Sequence, residues 1–489
     1  MQRCLFSLFL FLSVSASLSA QRYDVVIAGG RVMDPETGLD AIRNVGIRNG
    51  RIERIAEEPL DGRETLEARG MVVAPGFIDI HQHGQDLESQ RVKAFDGVTT
   101  ALEMEIGAPD VAQFLKEKAG RSLIHFGTTA SHVAARSLIF GTPLPAYTLD
   151  SRAGIPEILP KSGPATNQAA TPDQISRIQQ RLQDEFRAGA LGVGMGIQYV
   201  PGATRREVID MFRTAAEGKL PVYTHIRSFG YTEPGSAIES LEEVIGAAAI
   251  SGAALHVVHV SSTCLADSLE CLSMIQGARA RGLDVTTEAY PYIAGMTVLN
   301  SALFNPGWRE KLGISYDKLV LPETGEHLTK ARFEELHNSS RAQSALVFAS
   351  TQEMVDKVIP NPLIMIASDG ALGHPRNAGT YSRVIAQYVR EKKTLTLMDA
   401  LRKMALMPAQ MLERSTPDAH RKGRLQEGAD ADIVVFDPET IADRATFERP
   451  MEPSAGVKYL VVAGQLLIDN GKLKSGVFPG RAILGSATK

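Results

Sequence analysis

Nine apolar runs of strand length recur between residues 71 and 370, and amphipathic helical stretches separate several of them. The runs are MVVAPGFIDIH, GVTTALEME, SLIHFGTTA, ALGVGMG, LPVYTHI, ALHVVHV, LDVTTEAY, SALVFAS and LIMIASDG. The helices between them carry their own start signals. Thr171-Pro172-Asp173-Gln174 is a capping box with proline at the first helical position, and Ile175, Ile178, Leu182 and Phe186 then repeat on one face until Gly189. Thr204 and Glu207 repeat the box ahead of the next helix. Alternation of this kind implies a parallel sheet with crossover helices. Polar residues gather at the carboxyl ends of the strands, which favours a closed (β/α)8 barrel of the TIM type over an open sheet.

The two ends of the chain read differently. YDVVIAGGRVMD and NVGIRNGRIERIA flank Asn49-Gly50, which has the chemistry of a type I′ hairpin turn. ADIVVFD and VKYLVVAGQLLIDNG mirror them near the other end, with Ala463-Gly464 between two apolar runs. Two separate β appendages would leave more unpaired edges than one shared unit. The expected organisation is therefore α/β: a barrel over residues 71–420 and a small β-sandwich domain made from residues 22–70 and 421–485.

Residues 1–20 differ in kind from the rest. Arg3 precedes an apolar run, Leu5 to Leu12, too short to span a bilayer, and small residues follow from Ser13 to Ala20. This reads as a signal peptide cut after Ala20, and so as an exported chain, periplasmic or secreted, with no membrane attachment once processed. Cys264 and Cys271 then remain. If Leu265–Gln276 is helical, the two lie two turns and ~10 Å apart, beyond the ~7 Å that a disulfide tolerates. An oxidising compartment is thus expected to be tolerated rather than exploited. Net charge is −4, with no long basic run, which argues against a nucleic-acid partner. The partner expected is a small molecule, and the oligomeric state is left open.

The chemistry concentrates at strand ends. Residues i and i+2 of a strand share a side, so His81 and His83 can aim both imidazoles at one ion. Alone, such a pair is more often two half-exposed loop histidines. His225 ends PVYTHI and His259 ends ALHVVHV, however, and Asp369 follows LIMIAS. Four histidines and an aspartate at the ends of separate strands make a zinc-type site. His256, three residues before His259, is expected to face the other way and to pack.

With these residues in place the chain resembles the amidohydrolase superfamily, through APGFIDIHQHG, His225, His259, Asp369 and GRLQEGADADIVVFD. More narrowly it resembles the N-acyl-D-amino-acid deacylase (D-aminoacylase) family, through GALGVGMGIQYVPG, THIRS, TTEAYPYIAG, SDGALGHPRNAGTYSRVIAQYVRE and DPETIADRATFERP. The resemblance implies one or two zinc ions on His81, His83, His225 and His259, and Asp369 as general base. It implies that Tyr199, Tyr290, His374 and Arg376 line the substrate pocket. Arg227 is a further candidate for the substrate carboxylate, or else the partner of a nearby acid.

Three departures stand out. The family's cysteine after the second strand is absent from GVTTALEMEIG, where Ile106 aligns with it, so Glu105 is taken as the substituting ligand and Glu103 as the fallback. The strands SLIHFGTTA, ALGVGMG and PVYTHI hold no lysine for a carbamylated bridge. The family's lysine after the last histidine ligand is Ser261, and the serine of its AGST turn is Met296. His132 and Glu288 are candidates either for the pocket or for the core. The expected activity is hydrolysis of a non-peptide amide, deacylation of N-acyl-D-amino acids first, with cyclic amides or dipeptides as the alternative. An inactive exported binding barrel is the reading from a different class.

Overall fold

The computed structural model describes residues 22–142, 144 and 163–488. The signal peptide expected over residues 1–20 lies outside them.

Eight parallel strands follow one another around a nearly closed barrel: Phe77–Asp79, Val98–Ala108, His125–Ser131, Val193–Gly196, Val222–His225, Leu255–Val257, Val285–Ala289 and Ile364–Ile366. First and last strands meet through side chain and backbone. The Ser368 amide donates to Asp79 Oδ1 at 3.0 Å, its hydroxyl donates to Oδ2 at 2.6 Å, and Gln82 bridges to Gly370. The buried Lys93 ammonium sits 2.7 Å from Asp79, so the charge at the seam is neutralised.

The eighth apolar run, SALVFAS, is not a barrel strand. Ser344–Val347 pairs antiparallel with Gly295–Val298 and Leu319–Val320 in a separate three-stranded sheet. That sheet belongs to an excursion between the seventh and eighth barrel strands, and it packs its own core around Phe304, Trp308, Phe333 and Val347.

Both chain ends enter one nine-stranded sheet. Val72–Pro75 runs antiparallel to Ile433–Phe436 at its centre, with Val73 opposite Val435, so the joining strand lies just inside the span expected for the barrel. Asn49, Gly50, Ala463 and Gly464 all have positive φ, which the twist of a two-residue hairpin demands. The two turns touch at their glycines: a Cβ on Gly464 would fall 2.5 Å from the Gly50 Cα.

The Thr171 capping box forms in full. At the next helix the Thr204 hydroxyl caps Glu207 N, while the Glu207 carboxylate turns inward to His132 and Arg136. His132 therefore stands at the start of the helix after the third strand, in a buried ion-paired cluster with Glu207 and Arg136.

Cys264 and Cys271 are disulfide-bonded, with Cα atoms 6.7 Å apart. The expected continuous helix is broken: Leu265 has φ of 51°, and the helices on either side are Val260–Cys264 and Ser268–Ala280. The break shortens the two-turn separation into disulfide range.

Candidate metal centre

The carboxyl ends of the barrel strands bring the expected histidines together. His81 and His83 follow the first strand, His225 ends the fifth, His259 follows the sixth, and all four are buried. Glu105 reaches them from the second strand and Asp369 from just beyond the eighth.

Glu105 occupies the middle. Its Oε2 lies 3.4 Å from His81 Nε2 and 3.2 Å from His83 Nε2. Its Oε1 lies 2.8 Å from His225 Nδ1 and 3.1 Å from His259 Nε2. One carboxylate thus faces two pairs of imidazoles, one with each oxygen. Asp369 Oδ1 stands 3.4 Å from His81 Nε2 and 3.1 Å from His83 Nε2, and its Oδ2 accepts from Arg376 Nη2 at 2.8 Å.

The outer nitrogens decide which ring atoms are bare. His81 Nδ1 donates to Glu288, and His83 Nδ1 donates to Glu103 Oε2 at 2.7 Å. His225 Nε2 donates to Gln198 Oε1 at 2.6 Å. A neutral imidazole carries one N–H, so the hydrogen-bond network leaves His81 Nε2, His83 Nε2 and His225 Nδ1 as lone pairs aimed inward. The first two are only 3.0 Å apart and both face carboxylate oxygens. So many acceptors turned on one another require positive charge between them. Ligating atoms of His81, Glu105 and His259 lie within 4.8 Å of one another, as do those of His81, His83 and Asp369. Imidazole nitrogen with carboxylate oxygen is a donor set that suits zinc.

The electrostatics say the same. Burial pulls the His81 imidazole down, but Glu288, Asp369 and Glu105 outweigh it and push it up to about 10. Burial would raise Glu105, yet His81, His225 and His259 hold it well below the usual carboxylate range. The acid cluster draws in a proton wherever no other cation is supplied. Two of the site's residues also hold strained backbone: His259 at φ 32° and Asp369 at φ 51°. Non-glycine residues in that region cost about 1–3 kcal/mol each and concentrate at functional sites.

Glu103 stands behind His83 instead of beside Glu105, and also accepts from the Ile106 and Gly107 amides at 3.2 and 3.4 Å. Glu288 stands behind His81 and links it to His256, whose Nε2 is 3.1 Å from Glu288 Oε2. His256 therefore packs on this support and not on an opposite face. Gln198, which orients His225, went unnoticed in the sequence although it sits inside GIQYVPG.

Tyr199, Tyr290 and Arg376 line the cavity above these groups. Arg227 does not: it is bound to Glu243 through Nε at 2.7 Å and Nη2 at 2.6 Å. His374 is fully buried, with Nε2 donating to the Ala294 carbonyl at 2.9 Å and Nδ1 accepting from the Arg376 amide at 3.0 Å. It fixes the backbone that carries Arg376 and does not reach the cavity.

A parallel barrel with buried imidazoles and carboxylates converging at its carboxyl end is the frame of a metal-dependent hydrolase. The chain belongs to the amidohydrolase family, whose model matches residues 161–468. It is 30% identical over 476 residues to an N-acyl-D-glutamate deacylase of Alcaligenes xylosoxydans xylosoxydans, covering 91% of this chain and 93% of that protein. It is 28% identical over 478 residues to a D-aminoacylase of the same organism, covering 91% and 94%. The crystal structure of N-acyl-D-glutamate deacylase from Bordetella bronchiseptica, complexed with zinc and a phosphonate mimic of the tetrahedral intermediate, superposes with a TM-score of 0.78. The identity there is 28%, and 95% of this chain and 100% of that one are covered.

Proposed function

We propose that this chain hydrolyses the amide bond of N-acyl-D-amino acids, using zinc held by His81, His83, Glu105, His225 and His259. The observation that carries this reading is the set of inward lone pairs on both sides of Glu105. Two imidazole pairs sharing one carboxylate offer places for one ion or two. Zinc bound there supplies a Lewis acid that polarises the scissile carbonyl and lowers the pKa of water.

The remaining steps belong to side chains. Asp369 takes the proton of the attacking water and later delivers it to the leaving nitrogen, as the water oxygen bonds to carbon and the C–N bond breaks. Burial would raise the Asp369 carboxyl, but Arg376, His81 and His83 hold it well below the usual range, so it is ionised and ready to accept. Arg376 turns Nη2 to Asp369 and lies over the Tyr290 ring, 4.5 Å from its centroid. Its Nε and Nη1 make no hydrogen bond to the described residues, and the guanidinium borders the outer cavity as the cation for the substrate carboxylate. Tyr199, tied to Thr297 at 3.0 Å, borders the same space.

The export inferred for residues 1–20 is part of this proposal, and the Cys264–Cys271 bridge supports it because such bonds persist in oxidising compartments. Among the described residues no helix is long and apolar enough to cross a membrane. The division into a barrel and a unit built from both ends is likewise proposed, with Val72–Pro75 counted in the end sheet.

A screen of N-acetyl-D-amino acids, their L-enantiomers and cyclic imides on zinc-loaded protein tests the reading. Release of free D-amino acids is expected. Cleavage confined to the imides or the L-series would contradict it.

A further inference from the structure

The cavity above the imidazoles has two arms that meet at Tyr199, Met296 and Thr297. One arm, about 610 Å³ with its mouth included, runs over His259 and Asp369 to a wall of Phe229, Leu303, Leu312 and Val347. The other opens outward past Arg376. The wall is built from the excursion after the seventh strand together with Phe229. Phe229, Leu312 and Val347 are buried in the same apolar cluster as Phe304 and Trp308, and Leu303 packs against it. It is a formed surface, not a set of loose side chains.

Charge is distributed unequally between the arms. Among the described residues that line them, Arg376 is the single lysine or arginine, and it stands in the outer arm. The inner arm carries the carboxylates Glu105 and Asp369 at one end and apolar carbon at the other. The polar residues beside that wall, Ser262, Thr263 and Ser350, are neutral hydroxyls. An N-acyl amino acid brings one α-carboxylate, for which Arg376 supplies one cation. A second carboxylate, on the side chain, would lie desolvated against the apolar wall, where no lysine or arginine among the described lining residues can pair with it.

Resting on the deacylase reading above, we propose that the inner arm receives the amino-acid side chain. There it selects an uncharged, apolar side chain over an acidic one, with Phe229, Leu303, Leu312 and Val347 as the specificity-determining residues. Leucine, methionine and phenylalanine side chains fit this chemistry; glutamate and aspartate do not.

The test compares kcat/KM for N-acetyl-D-leucine, N-acetyl-D-phenylalanine and N-acetyl-D-glutamate on the zinc-loaded enzyme. Calorimetric binding of D-leucine and D-glutamate is measured alongside. The apolar substrates should be preferred by about 100-fold or more, and D-leucine should bind more tightly than D-glutamate. Leu303→Arg, at a half-buried position, should narrow the ratio by about tenfold or more, because it brings a cation to the wall. Equal or better turnover of the glutamate derivative overturns the assignment and leaves the deacylase reading standing. A folded Leu303→Arg enzyme with an unchanged ratio also overturns it. If no N-acyl-D-amino acid is cleaved, the deacylase reading fails and this assignment falls with it.

Discussion

At the scale of residues, the account turns on which atoms point inward. His81 and His83 are positioned by Glu288 and Glu103, so each imidazole presents Nε2 to the centre. Asp369→Asn keeps the size and the hydrogen bond to Arg376 but cannot take a proton from water. Turnover should fall by about 10²–10⁴ with metal content unchanged, measured by steady-state kinetics beside elemental analysis. Near-normal rates would remove Asp369 from its role. Glu105→Ala should lower the metal retained after dialysis, since both imidazole pairs lose their shared acceptor. Glu103→Gln should instead weaken affinity by about 10–100-fold while saturating zinc still fills the site. Equal loss in both variants would mean that Glu105 is not the shared group. The histidines were legible because strand-terminal placement is a property of local sequence. The choice between Glu103 and Glu105 was not, because both share a strand face and only the positions of His83 and His225 separate them. Arg227 was ambiguous for a similar reason: its partner Glu243 lies 16 residues away on a helix, at a distance that spacing alone does not reveal.

At the scale of elements, the segment after the sixth strand links fold to site. His259 leaves the strand in a left-handed conformation, and the short helix Val260–Cys264 then ends at Leu265, which also has positive φ. Reading Leu265–Gln276 as one helix hid the turn at Leu265, and with it the disulfide, because helical periodicity gives no sign of where a helix breaks. The run SALVFAS misled in the same way: a strand's composition does not say which sheet it joins. The capping box at Thr171, by contrast, is local chemistry and formed as read. A second element bears on the loop after His83. Lys118, at the end of the helix Val111–Lys118, buries its ammonium against Phe114 and Phe126 and donates to the Gln85 carbonyl. Burial lowers its pKa from 10.5 to about 7. Between those values the unfolded chain binds a proton that the folded chain lacks, so this group's contribution to stability rises with pH across that window. It is fully present above the upper value and lost as pH falls through about 7. The thermal midpoint of the wild type, compared with Lys118→Met, should therefore gain steadily from neutral to alkaline pH. A constant difference would show that Lys118 titrates as it would in water.

At the scale of the whole molecule, the two ends of the chain serve the barrel by closing one sheet and bracing its lower rim. The Ile483 amide donates to the Phe126 carbonyl at 2.8 Å, and His125 on the third strand pairs with Asp432 at 2.9 Å. This pairing was readable in outline from two β-rich ends around an alternating middle. The closure of the barrel through Asp79, Lys93 and Ser368 was not, because it joins residues nearly 300 positions apart. A frame tied at both ends holds imidazoles from the first, fifth and sixth strands at fixed separation, and it is the charge they enclose that performs the chemistry. The most direct test strips the protein of metal with a chelator, then follows release of D-amino acid from an N-acyl-D-amino acid as zinc is returned. We expect no release from the stripped protein and full recovery within one or two zinc equivalents per chain. Undiminished hydrolysis by protein shown to be free of metal would contradict the account at its root.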